Sequence, residues 1–433
     1  MSGAGKIKAP RGTYDVLGEQ SAARATLESK ARAILEGGGY ERIETPAFES
    51  TELFARGVGA STDIVQKEMY SFVDASGRSL TLRPEGTAPV CRAYVEHGMH
   101  KLRQPVRLWY LSSFFRHERA QAGRYRQFWQ IGAEALGSED PAVDAESIWL
   151  LATLLAEMGV ASVRLRLSSL GGQAARVEYR EQLQVHLRAH ADSLSEDVRA
   201  RIELNPLRAF DSDHPGTRAV MQSAPLLRDF LDEEDSAHFA EVRARLDGAG
   251  VAYEIDPTLV RGLDYYTRTV FEFTSDALGA QSGVGGGGRY DGLVEMLGGP
   301  ATPGIGWAAG IERILLAGAP AQAAPTPVDL FIAYEPTPDG SGSGSGSGSG
   351  HRAPAGAFAL LSAARAAGLT AQMELAGRSL KGQLGFANTL DARYVAILGE
   401  GDEVALKDMS DGGRQTLTAA QVVHAVLRGL HAL

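Results

Sequence analysis

Two strand-forming runs in the first third of the chain limit its fold more than any other feature. They read PVRLWYLSSFFRHE and RQFWQIGAEALG, and the short segment RAQAGRY joins them. Both runs are rich in aromatic and β-branched or aliphatic residues, and a connection of this length predicts an antiparallel hairpin with a long loop. We therefore expect an antiparallel sheet to form the framework of this part of the chain.

Helical patterns flank this hairpin. A helix is predicted near residues 21–37, where it ends at three glycines, and helical spacing fills most of 141–158 and 172–248. Strands are expected again from near residue 259, and GIGWAAGIERILLAG reads as a strand that runs into a helix. Towards the end of the chain, VDLFIAY, TAQMEL and YVAILG alternate with helical stretches, which is typical of a small parallel α/β domain. The predicted fold class is α+β.

One segment departs from this pattern. The sequence DGSGSGSGSGSG occupies residues 339–350, between the first strand of the last domain and the helix expected after it. Its Gly/Ser residues behave as a coil that spans roughly 16–19 Å, far more than such a connection needs. We predict that this tract is flexible and takes no part in chemistry.

The composition argues against several functions. Cys91 is the one cysteine, so no internal disulfide can form and a cytoplasmic protein is expected. The sequence has no run of 18 apolar residues and no apolar core of a signal peptide, so a membrane role is not expected. The formal net charge of -10 argues against a protein that coats nucleic acid nonspecifically.

Within this acidic chain, residues 101–133 are locally basic. Seven Lys or Arg stand against one acid, Glu118, which gives a local charge of +6. Such a concentration suggests a polyanionic ligand, although a solvated pair of charged strands would look similar.

Part of this basic segment surrounds polar residues of the hairpin. Gln130 and Glu134 are four residues apart, so they share one face of a strand. Arg116 ends the first strand, while Arg119 and Arg124 lie in the connecting loop. An amide and a carboxylate ringed by arginines suit an amino acid and a nucleotide phosphate bound together. Charged strands that simply face water are the alternative.

A second polar patch lies in LRPEGTAPVCRA, just before a predicted helix. Glu85 and Thr87 bracket Gly86 there, and their side chains could accept and orient an ammonium group. Helix capping by Thr87 is the alternative.

Two later segments carry further candidates. LVRGLDYYTRTVFEF contains Arg261, Asp264, Tyr265 and Tyr266, whose fork and phenols suit a polar pocket, or else an edge strand whose charges face water. The cluster GVGGGGRYDG lacks the context of a dinucleotide-binding fingerprint. Glycines in a strand more often let a ligand or another backbone approach closely.

The remaining candidates are weaker. Arg313 lies in GIERILL beside Glu312, and a surface salt bridge between the two would explain the pair equally well. His186 and His190 are four apart on a predicted helix, but no third ligand is near in the sequence, so no metal site is predicted.

Together these segments resemble the class II aminoacyl-tRNA synthetases, and within them the histidyl-tRNA synthetase family. YERIETPAFE is similar to motif 1, FFRHERAQAGRYRQFWQIGAE to motif 2 and GIGWAAGIERILL to motif 3. LVRGLDYYTRTVFEF and GGGGRYDGL resemble the two peptides peculiar to the histidine enzymes. Five motifs in order, over nearly the whole chain, make the resemblance specific.

The resemblance implies a domain plan. It consists of a class II catalytic domain with an antiparallel sheet, a helical insert and a C-terminal α/β anticodon-binding domain. The expected boundaries are 1–170 and 253–320 for the two parts of the catalytic domain, 171–252 for the insert, 321–327 for a linker and 328–433 for the anticodon-binding domain.

The resemblance also implies a set of histidine-binding residues. Three of them would hold the α-amino group: Glu85, Thr87 and Gln130. Two would read the imidazole nitrogens, namely Glu134 and Tyr266. Tyr265 and Tyr290 would wall the pocket.

A set of arginines would bind ATP. Arg116 resembles the motif 2 arginine on the α-phosphate and Arg313 the motif 3 arginine on the γ-phosphate, with Arg124 joining the cluster. Arg261 would lie against the α-phosphate and the histidine carboxylate, so Arg261 and Arg116 are the expected catalytic residues.

The implied activity is that of a histidine–tRNA ligase, which joins L-histidine to the 3′ end of tRNA(His) with ATP and Mg²⁺ and acts as a homodimer. The alternative is a catalytically silent, histidine-sensing paralogue that resembles the regulatory subunit of ATP phosphoribosyltransferase. That paralogue typically lacks the C-terminal domain and keeps the phosphate arginines poorly, whereas both are present here. An RNA-binding module alone would leave those arginines without a role.

Overall fold

The structure is a computed structural model that describes residues 6–59, 62–119, 123–259, 265–279, 282–319, 327–335, 353–399 and 402–431. The chain divides into two compact units, Met1–Gln322 and Ala323–Leu433. Arg261, Asp264 and the Gly/Ser tract at 339–350 lie outside the described residues, as does most of the expected linker.

Two antiparallel-rich sheets form the framework of the first unit. Its strands are β1 (Glu41–Arg42), β2 (Phe48–Ser50), β3 (Tyr70–Val73), β4 (Ser79–Leu82), β5 (Val106–Phe115), β6 (Gln127–Leu136), β7 (Val163–Ser169), β8 (Glu254–Ile255), β9 (Thr267–Ser275), β10 (Gly283–Arg289) and β11 (Gly304–Gly310). The larger sheet has the order β1-β5-β6-β11-β10-β9-β7-β8, and the smaller one the order β2-β4-β3.

The predicted hairpin is confirmed. β5 and β6 pair antiparallel from Val106 opposite Leu136 to Phe115 opposite Gln127, and β11 continues the antiparallel ladder on the other side of β6. β9 lies between β10 and β7. The alternative that the 259–273 segment forms an edge strand is therefore wrong for β9, because other strands pair with both of its edges.

Helices cover this framework. In the described part of the first unit they are α1 (Gly18–Gly37), α2 (Thr51–Gly57), α3 (Thr87–Glu96), α4 (Pro141–Glu157), α5 (Gln173–Ala189), α6 (Glu196–Ala200), α7 (Pro215–Met221), α8 (Glu233–Gly248), α9 (Leu293–Met296) and α10 (Ile311–Ala317). Short turns of 3-10 helix occur at Met99–Lys101, Ala191–Ser193, Pro206–Asp211, Leu227–Phe230 and Asp276–Leu278, and a π-helical turn at Ile64–Glu68.

The pleat of β6 separates a packed face from a polar face. Ile131 and Ala133 belong to the main core, together with Leu35 of α1, Leu151 of α4 and Val242 of α8. Because successive side chains of a strand alternate, the even-numbered residues of β6 lie on the opposite face. That face carries Gln130 and Glu134, as the sequence predicts.

The helices between β7 and β8 pack mainly around their own centre. Tyr179, Leu183 and Leu187 of α5 lie in one buried cluster with Val198 of α6 and Val220 of α7. α8 differs, because Val242 and Leu246 are buried in the main core instead.

The second unit is a separate α/β fold. Its strands are β12 (Leu330–Tyr334), β13 (Ala371–Met373), β14 (Tyr394–Leu398), β15 (Glu403–Asp408) and β16 (Arg414–Thr418), in the order β13-β12-β14-β15-β16. Its helices are α11 (Ala355–Ala366), α12 (Leu380–Thr389) and α13 (Ala419–His431). The first three strands pair in parallel, and the last two form an antiparallel hairpin. In neither unit is a described helix both long and apolar enough to cross a membrane.

Candidate active site

A cavity of about 470 Å³ opens on the polar face of the larger sheet. Its wall is formed by the β5–β6 connection, by β6, β9, β10 and β11, and by the start of α10. The lining residues are Arg116, Glu118, Gly123, Arg124, Tyr125, Phe128, Gln130, Glu272, Ser282, Gly283, Val284, Gly285, Ala308, Gly310, Glu312 and Arg313. Three of the expected phosphate arginines therefore share one cavity. Arg119, by contrast, is exposed and does not line it.

Contacts with other residues of the protein fix two arginines of this cavity. Arg116 donates from Nε to the carbonyl of Pro84 at 2.8 Å and lies over the Phe128 ring, 5.3 Å from its centroid. Arg124 pairs with Glu118 at 3.1 Å. Fixed guanidinium groups of this kind can bind several phosphate oxygens without being reordered when the ligand arrives.

Arg313 and Glu312 do not pair with each other as a surface salt bridge, so that alternative is wrong. Arg313 donates from Nη1 to the carbonyl of Gly283, and burial lowers the pKa of its guanidinium, as does the nearby Arg124. Glu312 instead binds Arg24 at 2.6 Å. Adjacent residues on a helix point in different directions, which separates the two side chains.

A second polar cluster lies deeper, around Glu134. The Glu134 side chain is fully buried, and its carboxylate accepts hydrogen bonds from Tyr290 at 2.6 Å, Thr87 at 2.8 Å and Tyr110 at 3.4 Å. Burial raises the pKa of Glu134 to about 8, although the bonds from Tyr290 and Thr87 favour its charged form. Among the described residues, the hydrogen-bond donors to this buried carboxylate are neutral hydroxyl groups, so it is suited to a ligand that donates a proton or carries a positive charge.

Glu85, and not Thr87, caps helix α3. The Glu85 carboxylate caps α3 by accepting from the backbone N–H groups of Thr87 at 2.8 Å and Ala88 at 3.0 Å. Burial raises the pKa of Glu85, which these two bonds partly offset. The Thr87 hydroxyl donates to Glu134 instead. Capping by Thr87 is therefore wrong, because Glu85 provides that cap.

Three tyrosines pack edge to face beside Glu134. The Tyr265 ring lies 4.9 Å from that of Tyr266 and 5.8 Å from that of Tyr290, between ring centroids. All three are buried, and burial raises the pKa of Tyr265 and Tyr290 far above the usual value. The phenols of Tyr265 and Tyr290 therefore stay protonated and can donate hydrogen bonds.

Glycines make room for this cluster. A Cβ atom at Gly306 would overlap the Glu134 carboxylate, and one at Gly132 would overlap the Tyr110 ring. On β10, a Cβ at Gly285 would lie 2.6 Å from the Cβ of Ala309. The prediction that the glycines of GVGGGGRYDG let another backbone approach closely is confirmed at Gly285 and Gly287, where a Cβ would meet the backbone of β11.

Tyr110 is a residue of this cluster that the sequence analysis missed. It lies opposite Gly132 in the hairpin and two pairs from Glu134, on the same face of the sheet. A tyrosine placed opposite a glycine was the available signal, because the missing side chain leaves space for the ring.

His186 and His190 lie apart from the site, on α5. His186 Nε2 contacts the carbonyl of Val220 at 3.0 Å, and His190 Nδ1 contacts the carbonyl of His186 at 2.9 Å. No group of three metal-binding side chains occurs in the described ranges.

Comparisons with known proteins show the family of the chain. A profile of the histidyl-tRNA synthetase family matches residues 12–314. A histidine–tRNA ligase of Desulforamulus reducens is 46% identical over 96% of this chain and 97% of its own length, and one of Rubrobacter xylanophilus is 46% identical over 93% and 95%. The crystal structure of apo S. aureus histidyl-tRNA synthetase is 36% identical, covers 97% of this chain and 100% of its own, and superposes with a TM-score of 0.78.

The α+β fold and the arginine-lined cavity on an antiparallel sheet define a class II aminoacyl-tRNA synthetase. Within that class, the chain belongs to the histidyl-tRNA synthetase family. Enzymes of this family use ATP. A structure described as an ATP phosphoribosyltransferase regulatory subunit/histidyl-tRNA synthetase, from Bacillus halodurans, is 22% identical and shares the fold alone. The regulatory alternative is accordingly less well supported.

Proposed function

We propose that this enzyme activates L-histidine with ATP to histidyl-adenylate and transfers the histidyl group to the 3′ end of tRNA(His). The observation that carries the proposal is the Glu134 carboxylate, buried among three hydroxyl donors beside an arginine-lined cavity. A carboxylate has about four acceptor positions, so one remains for an imidazole N–H.

Recognition of the side chain then depends on two groups. Glu134 accepts from one imidazole nitrogen, and the Tyr266 phenol serves the other. A site built to hydrogen-bond a ligand rejects an analogue that lacks the partner atoms much more strongly than a site that selects by shape. Tyr265 and Tyr290 limit the space around the ring.

The α-ammonium group is assigned to Gln130, Glu85 and Thr87. In support, Gln130 Oε1 is buried at the cavity wall and accepts no hydrogen bond from any described residue. A buried acceptor left in this state costs free energy, which a bound ammonium group would offset. Glu85 adds negative charge nearby, whereas Thr87 acts through Glu134.

Adenylate formation needs positive charge around the α-phosphate. The histidine carboxylate attacks the α-phosphorus, and pyrophosphate leaves while charge grows on the phosphate oxygens. We assign Arg116, with Arg261, to stabilising that charge, and Arg313 and Arg124 to the outer phosphates. Charges held in place before the reaction need no reorganisation during it.

Magnesium fits the acidic residues of the same cavity. Glu118 and Glu272 line it, and Mg²⁺ is bound in proteins by one or two carboxylates together with substrate phosphates. When bound, the ion neutralises charge on the leaving pyrophosphate. We assign these two carboxylates to it.

We also propose a homodimer, located in the cytoplasm. In support of the dimer, the small sheet exposes apolar side chains together: Phe48 (50% exposed), Phe72 (44%) and Val73 (68%). Phe48 and Phe72 lie with ring centroids 6.3 Å apart. A contiguous apolar patch of this kind favours a protein interface. The single, buried Cys91 suits a reducing compartment.

The domain roles remain proposals of the same kind. We assign the helical part at 171–252 as the insertion domain and 328–433 as the anticodon-binding domain.

Light scattering of the parent and of Phe72→Asp tests the dimer, because a charge at the interface should lower the mass to that of one chain.

The decisive experiment is exchange of labelled pyrophosphate into ATP by the purified protein. Exchange should require L-histidine and should not occur with glutamine or phenylalanine in its place, and tRNA(His) should then be charged. Histidine-independent exchange, or none with any amino acid, would overturn the proposal.

A further inference from the structure

The tyrosines of the proposed histidine pocket belong to two segments, and each segment also carries an arginine held outside the pocket. Arg268 follows Tyr266 by two residues, and Arg289 immediately precedes Tyr290. Both guanidinium groups are bound by carboxylates. The position of each tyrosine is therefore linked to the partners of an arginine nearby in the chain.

Two carboxylates and one backbone carbonyl hold Arg289. Its side chain is fully buried, lies 3.2 Å from Asp144 and 3.3 Å from Asp291, and donates to the carbonyl of Ser138 at 2.5 Å. The other oxygen of Asp144 lies 2.9 Å from Nε2 of His238. A chain of buried polar contacts thus runs from Arg289 to helix α8.

Arg268 is anchored to the same helix. Its Nε donates to Asp235 at 3.0 Å, and Asp235 also accepts from the backbone N–H of Gly172 at 2.5 Å. The backbone of Arg268 has φ of 44°, a conformation that side chains other than glycine adopt at a cost. The strand register also shifts here, since Gly288 pairs with Val270 whereas Arg289 pairs with Thr267. Such a bulge redirects side chains but needs support from its surroundings.

Asp235 and His238 are three residues apart, so they lie on the same side of α8. From that side they hold both tyrosine-bearing segments. We infer that Asp235 and His238, through Arg268 and through Asp144 with Arg289, are positioning residues that fix the pocket tyrosines for histidine. This inference rests on the proposed function, because it takes the tyrosines to bind histidine.

The need for such an anchor follows from the composition of β10. Gly285, Gly286, Gly287 and Gly288 precede Arg289, and they offer no side chains that could lock the strand against its neighbours. Glycine also loses the most conformational freedom on folding. The buried Arg289 at the end of this run, followed directly by Tyr290, fixes where the phenol meets Glu134.

The test compares two kinds of substitution on the same helix. Asp235→Asn keeps the size of the side chain but removes the buried one of the two carboxylates that pair with Arg268, the other being Glu234. Arg268→Asn removes the guanidinium with a residue that tolerates positive φ. Val242→Ala is the matched control, because it deletes a buried contact of α8 without touching either arginine. The KM values for histidine and for ATP are measured by pyrophosphate exchange, and the melting temperature of each variant is recorded.

Asp235→Asn and Arg268→Asn are expected to raise the histidine KM by about 10-fold while the ATP KM stays within about two-fold of the parent. Val242→Ala should lower the melting temperature but leave both KM values near those of the parent. His238→Gln, which can still donate to Asp144, should stay closer to the parent than His238→Ala.

Three results would overturn the inference. A parental histidine KM in both asparagine variants would show that α8 does not position the pocket, and the proposed function would stand. Equal increases in the histidine KM for Val242→Ala would show that general destabilisation is the cause. A parent without histidine-dependent exchange would remove the proposed function and this inference with it.

Discussion

The Tyr290 hydroxyl donates a 2.6 Å hydrogen bond to Oε2 of Glu134, across 156 positions of sequence. Burial raises the pKa of Tyr290, so the phenol keeps its proton and the bond persists over the physiological pH range. Thr87 and Tyr110 both donate to the other oxygen, Oε1, so the acceptor position left for a ligand lies on Oε2. The contacts of Glu134 therefore determine which groups of a ligand it can still bind.

Glu134→Gln should weaken histidine binding while ATP binding persists. The substitution keeps the shape of the side chain but removes the charged partner of an imidazole N–H. Loss of a hydrogen bond to a buried charged group costs about 1.5–3 kcal/mol. Calorimetric titration with each ligand checks this, and ATP serves as the internal control. An unchanged histidine affinity would exclude Glu134 from the pocket.

The raised pKa of Glu134 predicts a pH dependence of stability. Its pKa moves from 4.5 to about 8 in the folded protein, so between these values the folded state holds a proton that the unfolded state has lost. Stability from this group is therefore full below pH 4.5, falls as the pH rises and is lost above about 8.

Thermal denaturation of the parent and of Glu134→Gln over this pH range isolates the effect, because other groups titrate in both proteins. The melting temperature of the parent should fall relative to the variant as the pH rises, and the difference should then level off. Parallel curves would show that the carboxyl group is already charged at neutral pH.

Gly306→Ala should impair both stability and histidine binding, because the added Cβ would overlap the Glu134 carboxylate. Overpacking of this kind typically costs about 1–3 kcal/mol. Gly385→Ala in α12 is the control, since a Cβ there meets nothing within 4 Å and alanine favours a helix. Denaturant titration of the two variants checks the difference. Equal stabilities would mean that the sheet yields to the extra methyl group.

Arg261→Lys should slow adenylate formation by about 10²-fold or more, the scale of losing one donor to a transition state. Arg261 lies outside the described residues, so the prediction rests on the family resemblance and on the planar fork that lysine lacks. Transfer from preformed adenylate to tRNA should suffer less. Single-turnover kinetics separates the two steps, and a first step at parental speed would remove Arg261 from catalysis.

Deleting residues 341–350 should leave the melting temperature and the rate of tRNA charging close to those of the parent. A flexible Gly/Ser coil is not expected to make stabilising contacts, and shortening a long loop changes its closure entropy only slightly. If charging falls while adenylate formation is kept, the tract contacts the RNA.

Local sequence patterns predict the framework well. The hairpin and its polar face follow from strand periodicity, which places Gln130 and Glu134 together. The same periodicity divides the basic segment: Arg107 pairs with Glu146 at 3.2 Å, whereas Arg116 reaches the cavity. The local charge of residues 101–133 does not show which arginines face the cavity, because adjacent strand positions face opposite sides of the sheet.

Such local patterns do not predict contacts between segments that are distant in the sequence. The sequence gives no sign that Asp144 would meet Arg289 or His238, which lie on three separate elements. β7 was also not predicted, although Leu165 and Leu167 alternate with arginines there. For Glu85 and Thr87, both side chains are able to cap a helix, and spacing alone does not decide between them.

The glycine strand β10 also bears on how inhibitors of this enzyme would perform over time. Gly283 and Gly285 line the cavity, and at Gly285, Gly287 and Gly288 any side chain would collide with neighbouring atoms. A compound that gains its affinity from the peptide groups of Gly285 would contact a position with almost no viable substitution. A point mutation that blocks the compound at such a position would also disrupt the sheet, so resistance would have to arise at other positions.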